Sequence, residues 1–487
     1  MRKVLIILGV PIDDLTMPAA LDRIDEFIVQ GRATGKTHQI ATVNADFAVK
    51  ALDDPELRLI LQECDMATAD GMPLVWGARL LGVRLEGRVT GADLVPALAE
   101  RAARKGYSLY LLGGAPGVAQ SAASILQTRY PGLEIAGIFS PPLSSVLEMD
   151  DSVAQNIRAA KPDILLVAFG NPKQEKWIHM HARDVPVPVM IGVGGTFDFI
   201  AGKTKRAPAW MQKAGLEWIF RLAQEPRRLW KRYVIDLGGF GIFFIRQWLA
   251  LRGGRTPHPI VPQTDIVLVA DHAVVTLTGR LDANNATPFA ENAQRALDAL
   301  GAQPRLIVNL ARATFLDSRG LGVLVTLAKR ARDANGDLYL VAVPAALAQT
   351  LKLTRLDKFF ETFPTIEHAL KQRAAASEPL AAPNAPRGAW LVIAAPRRLD
   401  TNTAPEFLER CLESAKANPR LTLDLTGTVF LASAGMAALL KLHKQTREAG
   451  GELRLAGCAS EVARALELAR LNTVLHLFPN VETATAK

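Results

Sequence analysis

Two short apolar runs in this chain end in residues able to do chemistry. Gln39-Ile-Ala-Thr-Val closes on Thr42 and Asn44, and Cys64-Asp-Met-Ala-Thr-Ala closes on Asp70, punctuated by Gly71 and Pro73. Buried strands that deliver polar groups at their C-terminal ends are how open α/β sheets build a crevice site. A carboxylate there can take or release a proton, and a nearby hydroxyl and carboxamide can hold a polar ligand. The competing reading is local. Asp70 would cap the helix that begins at Pro73, and Asn44 would cap the helix Ala45–Leu52. Position alone does not separate the two.

The elements that must position these residues follow from apolar periodicity. Strands are predicted at Leu5–Val10, Gln39–Val43, Met66–Ala69, Ser108–Leu112, Glu134–Ile138, Ile164–Phe169 and Val187–Val193. Amphipathic helices fall between them at Ala19–Val29, Ala92–Lys105, Val118–Tyr130 and Val153–Ala160. Such alternation predicts a Rossmann-like, mostly parallel sheet with helices on both faces. Leu109-Tyr-Leu-Leu-Gly113-Gly114-Ala-Pro-Gly117-Val-Ala reads as strand, glycine turn and helix start. Its amides and positive dipole end suit a diphosphate, although a tight structural turn accounts for it equally well.

At 487 residues the chain is too long for one core. A net charge of +9 makes an acidic partner worth seeking. Three scattered cysteines without a CxxC support neither a disulfide framework nor a zinc site, and fit a reducing cytosol. The apolar N-terminus lacks a signal-peptide cleavage site and reads as a first strand.

Residues 203–232 concentrate basic side chains, among them Arg221, Arg227, Arg228 and Arg232, interleaved with Trp210, Trp218, Phe220 and Trp230. The apolar stretch after them is interrupted by Asp236 and Arg246, whereas a spanning helix needs about 20 largely uncharged residues. The composition suits a helix lying on an anionic membrane, each cation near the leaflet contributing roughly 1 kcal/mol. Packing of the aromatics on the α/β core is the alternative. No nucleic-acid module accompanies the basic residues, which argues against such a partner.

The C-terminal half repeats itself. Arg305-Leu-Ile-Val-Asn-Leu is matched by Arg420-Leu-Thr-Leu-Asp-Leu, and Gly336-Asp-Leu-Tyr-Leu by Gly451-Glu-Leu-Arg-Leu, each pair offset by 115 residues. Two copies of one small α/β domain follow.

Thr42-Val-Asn44, Ala69-Asp70-Gly71, the glycine turn, Gly170-Asn-Pro-Lys-Gln174-Glu-Lys-Trp177, Gly192-Val-Gly-Gly-Thr-Phe-Asp198, Arg206-Ala-Pro-Ala-Trp210 and Glu217-Trp-Ile-Phe-Arg221 occur in order. Together they resemble the WecG/TagA/CpsF family of bacterial glycosyltransferases. The resemblance implies transfer, with inversion, of an N-acetylmannosamine-type sugar from a UDP donor to a polyprenyl-diphosphate-linked acceptor. It implies Asp70 as the base, Thr42 and Asn44 as sugar-binding groups, and Gln174 and Asp198 on the donor. Arg88 could neutralise a phosphate. No Asp-x-Asp pair, the usual holder of a divalent cation on a nucleotide-sugar, occurs in residues 1–260. Hence no metal or other cofactor is expected, and Arg221, Arg227, Arg228 and Arg232 are expected to stabilise the departing UDP, with Gly113, Gly114 and Gly117 on the diphosphate.

Each repeat resembles a STAS domain, the fold of anti-sigma-factor antagonists. Phe315-Leu-Asp-Ser318-Arg319-Gly320 stands where that family carries a phosphorylatable hydroxyl, with Arg319 in place of the usual second hydroxyl. Ser318 is a switch candidate. A helix cap is the competing role for it and for Ser433. The expected organisation is a transferase core at 1–202, a basic appendage at 203–252, a linker at 253–263, STAS-like domains at 264–373 and 388–487, and an Ala/Pro linker at 374–387. It implies a cytoplasmic protein peripheral on the inner face of the membrane, with an unidentified protein partner for the STAS-like units; homo-oligomerisation is compatible with it. The alternative is a non-catalytic scaffold with a degenerate transferase lobe.

Overall fold

The apolar N-terminal run, expected as one strand of the main sheet, is a separate hairpin. β1 (Val4–Ile7) and β2 (Val10–Asp13) pair antiparallel with Ile7 opposite Val10, leaving Leu8 and Gly9 as the turn. Both have positive φ, 49° and 82°, the pattern of a two-residue turn whose twist suits a hairpin. Glycine is needed at position 9 for a second reason, because a Cβ there would lie 2.6 Å from the Thr354 carbonyl oxygen. The computed structural model describes residues 3–141, 152–252, 263–370 and 385–486, apart from positions 215, 225, 270–271, 283–284, 302, 335 and 388–389. It forms two compact units that divide between residues 372 and 373.

In the first unit, six parallel strands make the main sheet. They are β3 (His38–Val43), β4 (Met66–Ala69), β5 (Ser108–Gly113), β6 (Glu134–Phe139), β7 (Ile164–Ala168) and β8 (Val189–Gly192), in the order β4-β3-β8-β7-β5-β6. The central strands read as continuous apolar runs because helices bury both faces. Ile40, Leu109, Leu111 and Ile164 belong to the core on one face. Ala41, Val43 and Ala67 belong to the other, together with Leu5 and Ile7 of the hairpin.

That second core also takes in the helix Pro226–Arg252. Its Phe240 and Phe244 are buried, and Gln247 sits fully inside, accepting from Leu8 N at 2.7 Å and donating to Ile6 O at 2.8 Å. Ile242, Ile245 and Leu249, spaced three and four apart on one helix face, are each more than half exposed. One face of this helix therefore packs on the α/β core and the other presents apolar surface, whereas Trp210 and Trp230 of the basic stretch are at least half exposed rather than packed on that core. No helix among the described residues is long and apolar enough to cross a membrane.

A second sheet completes the first unit: β9 (Gln263–Val269), β10 (His272–Leu281), β11 (Arg305–Leu316), β12 (Asp337–Val341) and β13 (Glu361–Phe363), ordered β13-β12-β11-β10-β9 with only β9 antiparallel. Its core contains Val4 and Ile6. The hairpin strand β1 is thus buried on both sides, odd residues in the core against the main sheet and even residues in the core of the β9–β13 domain. Period-two alternation makes one short strand serve two cores. The helix Ser318–Asp333 lies on β1 so closely that a Cβ at Gly322 would stand 2.4 Å from the Val4 carbonyl oxygen. Charged pairs rim this contact: Arg319–Asp14 at 2.6 Å, Lys36–Asp333 at 3.3 Å and Lys329–Asp65 at 3.4 Å. Burial alone would push the Asp65 carboxyl up, but Lys329 and His38 beside it hold it well below the usual carboxylate range.

The cap reading of Ser318 is corrected here. Asp317 is the cap, its Oδ1 accepting from Arg319 N and Gly320 N, and Ser318 is the first helical residue, buried. Ser433 likewise follows the capping position, which is held by Ala432.

In the second unit, β14 (Ala385–Arg387), β15 (Trp390–Ala394), β17 (Arg420–Asp424), β19 (Glu452–Ala456) and β20 (His476–Phe478) form a five-stranded sheet in that order. Two short strands, β16 (Arg398–Leu399) and β18 (Phe430–Leu431), pair beside it. Arg420 opposite Glu452 reproduces the register of Arg305 opposite Asp337, so the sequence repeat is also a repeat of sheet register.

Candidate active site

Parallel pairing of β3 with β4, Thr42 opposite Thr68 and Val43 opposite Ala69, brings Asn44 and Asp70 out side by side at the carboxyl ends. Thr42 is buried and donates to Gly192 O at 3.0 Å, tying β3 to β8. Asn44, half-buried, caps the helix Ala45–Asp53 through Phe47 N. Asp70 does not cap the helix after it. That helix starts at Met72 with Gly71 at the cap position and no side-chain bond, and the Asp70 Oδ2 instead accepts from Gly91 N at 3.2 Å.

The segment from Glu86 to Gly91 lies along the edge of β4. Val89 N donates to Ala69 O, Thr68 Oγ1 donates to Val89 O, and Gly91 N reaches Asp70. Arg88, half-buried, sits in this segment. Thr90 caps the helix Gly91–Lys105 and donates to Asp93, which Arg206 grips through Nη1 and Nη2. Burial would lower the Arg206 guanidinium, but Asp93, Glu217 and Asp70 hold it above its ordinary value. For Asp93, burial pulls upward while Arg206, Thr90 and Arg88 hold the carboxyl low. A fixed cation therefore stands in the field of Asp70. Residue-level reading missed Arg206 and Asp93 as site residues, although Arg206 opens a quoted motif.

On the other side of the crevice, Gly113, Gly114 and Gly117 all have positive φ in the turn between β5 and the helix Val118–Arg129. A Cβ on Gly113 would meet the Ala168 carbonyl oxygen at 2.8 Å, and Gly114 N donates to that same oxygen. Gln174, fully buried, accepts from Gly170 N and Gly194 N and so clamps together the loops that follow β7 and β8. Asp198 is half-buried in the short helix Thr196–Ile200, and its carbonyl accepts from Lys203 N and Thr204 N. Thus Thr42, Asn44, Asp70, Arg88, the glycine turn, Gln174 and Asp198 all gather at the carboxyl edge of one parallel sheet. The backbones at Arg221, Arg227, Arg228 and Arg232 are helical, and their side chains lie outside the described residues.

Glu175 is a further group that sequence reading passed over. It is buried beneath the site, accepts from Gln174 Nε2 at 2.7 Å, and burial pushes its carboxyl from 4.5 up to about 8. Between those two values the folded chain holds a proton that the unfolded chain has lost, so stability falls as pH rises through this window. Glu175→Gln, which keeps the neutral shape, is expected to flatten that slope and leave the variant at least as stable as the parent at about pH 8. Thermal unfolding midpoints across the window measure this.

The Glycosyl transferase WecG/TagA/CpsF family description matches residues 5–254, and the STAS domain description matches residues 263–369 and again 383–484. An N-acetylglucosaminyldiphosphoundecaprenol N-acetyl-beta-D-mannosaminyltransferase of Bacillus subtilis is 36% identical over 193 residues, 40% of this chain and 73% of that protein. A protein of the same name from Bacillus spizizenii is 33% identical, with the same coverage of 40% and 73%. Among solved structures, an anti-sigma factor antagonist from Mycobacterium paratuberculosis is 26% identical, covering 24% of this chain and 97% of that one with a TM-score of 0.22.

Proposed function

We propose the following reaction for this chain, which belongs to the WecG/TagA/CpsF family of glycosyltransferases and carries two STAS domains. A sugar of the N-acetylmannosamine type passes from a UDP donor to a saccharide linked to a polyprenyl diphosphate. The acceptor hydroxyl oxygen attacks the anomeric carbon, the bond from that carbon to the diphosphate oxygen breaks, and the configuration inverts. Asp70 takes the hydroxyl proton, and UDP departs with the bonding electrons. The reading is carried by the placement of Asn44 and Asp70 directly after the paired ends of β3 and β4, with a backbone amide fixing Asp70 and Arg206 nearby.

In this reading Thr42 and Asn44 face the sugar. Arg88, Gln174 and Asp198 line the donor side, Gln174 chiefly by holding its two loops together. The glycine turn and the arginines at 221, 227, 228 and 232 receive the diphosphate. The exposed face of Ile242, Ile245 and Leu249 rests on the cytoplasmic leaflet, where the acceptor lipid is anchored. The STAS domains serve protein contact or regulation, with Ser318 the candidate for phosphorylation.

The test presents the full chain with UDP-N-acetylmannosamine and an N-acetylglucosaminyl lipid diphosphate in anionic vesicles. Expected are transfer that EDTA does not abolish and flotation of the protein with acidic but not neutral vesicles. Absence of turnover with every UDP-sugar tried would overturn the reaction, and absence of flotation would overturn the membrane contact.

A further inference from the structure

Arg319, which stands in the first STAS domain where the resemblance leads one to expect a second hydroxyl, is engaged with the transferase lobe. Arg319 extends from the start of the helix Ser318–Asp333, and its Nη2 donates to Asp14 Oδ2 at 2.6 Å, both side chains largely buried. Asp14 follows β2, and its other carboxylate oxygen accepts from Glu86 N at 2.7 Å. That amide opens the segment lying along β4, whose far end presents Gly91 N to Asp70. The segment has little room to shift independently, since a Cβ on Gly87 would stand 2.9 Å from the Leu15 carbonyl oxygen. One carboxylate therefore bridges a STAS guanidinium and the first amide of the segment that holds Asp70.

We propose that Arg319 is a positioning residue for the transferase site, acting through Asp14 on the Glu86–Gly91 segment. The proposal rests on the reading of Asp70 as the base. Without the guanidinium, the Asp14 carboxylate is buried with reduced compensation and rotates or draws in water, and the amide of Glu86 loses its fixed acceptor. The STAS domain then stays docked through Val4 and Ile6 while Asp70 loses its defined orientation.

The experiment uses the full chain. Arg319→Ala is expected to lower kcat for sugar transfer about tenfold, short of the ~10²-fold that a 1 Å misplacement at a reacting centre can cost. KM for the donor stays within about twofold of the parent. Backbone amide exchange quickens at residues 86–91 and is unchanged in β5 and β7. Arg319→Lys, which keeps a cation for Asp14, recovers most of the rate. The pair Asp14→Ala with Arg319→Ala is no slower than Asp14→Ala alone, as two members of one linkage require. Parental kcat in Arg319→Ala, unchanged exchange at 86–91, or effects that multiply in the double variant would each overturn the proposal. If Asp70→Asn turns over normally, the base assignment fails, whereas the exchange response and the coupling of Arg319 to Asp14 still report on the linkage.

Discussion

Asp70→Asn is expected to lower kcat for sugar transfer by about 10²- to 10⁴-fold, the contribution of a positioned general base. Asparagine is the informative replacement because it keeps the size of the side chain and an oxygen to accept from Gly91 N. The loop geometry, the pairing with β3 and the unfolding midpoint should all be retained. Proton affinity and the negative charge near Arg206 are removed. A purely structural role for Asp70 predicts that Asn serves as well as Asp, and that only Asp70→Ala, which drops the bond to Gly91, does harm. Measuring kcat for both variants alongside their thermal midpoints separates the two accounts. Parental turnover in Asp70→Asn would end the case for a base.

Gly322→Val is expected to cost about 1–3 kcal/mol of stability or more. On helix propensity alone the sign would be opposite, since replacing a mid-helix glycine by alanine favours the helix by up to about 1 kcal/mol. Here the added Cβ would meet a backbone carbonyl, that of Val4, at 2.4 Å, so the helix or β1 must move. Moving β1 disturbs two cores at once, because Val4 and Ile6 lie in one and Leu5 and Ile7 in the other. Gly301→Ala is the matched control, in the same domain with nothing within 4 Å of the new carbon. Denaturant unfolding followed by tryptophan fluorescence compares them. A Gly322→Val protein as stable as the control would show that the helix does not press on β1 in solution.

The main sheet was legible because its strands are short, apolar and separated by amphipathic helices, and because Thr42, Asn44 and Asp70 break the apolar pattern at strand ends. The doubled domain was legible because its spacing is constant. Other features left no local trace. Val4–Ile7 is a continuous apolar run, which fits a central strand as well as a hairpin wedged between two cores. The two-residue turn at Leu8-Gly9 lacks the asparagine or aspartate that usually marks one. Glu175 reads as a surface acid of an amphipathic helix, and only packing against β3 and β8 buries it. Gln247 did carry a signal, a lone carboxamide beside Arg246 in an otherwise apolar stretch, whose partners are backbone groups of a hairpin more than two hundred residues earlier. Arg319 likewise stood out as a departure from pattern, but nothing in the sequence said where its charge would go.

The wedged hairpin has a consequence for how the protein is made. β1 leaves the ribosome long before the helix that covers Val4, which is complete only after Gly322 and the residues following it have been added. At synthesis rates of about 5–20 residues per second, that is a wait of roughly 15–60 s. Throughout it, the Val4 and Ile6 side of β1 has no native neighbour. The transferase lobe is thus translated before its own first STAS domain and finished only when that domain arrives.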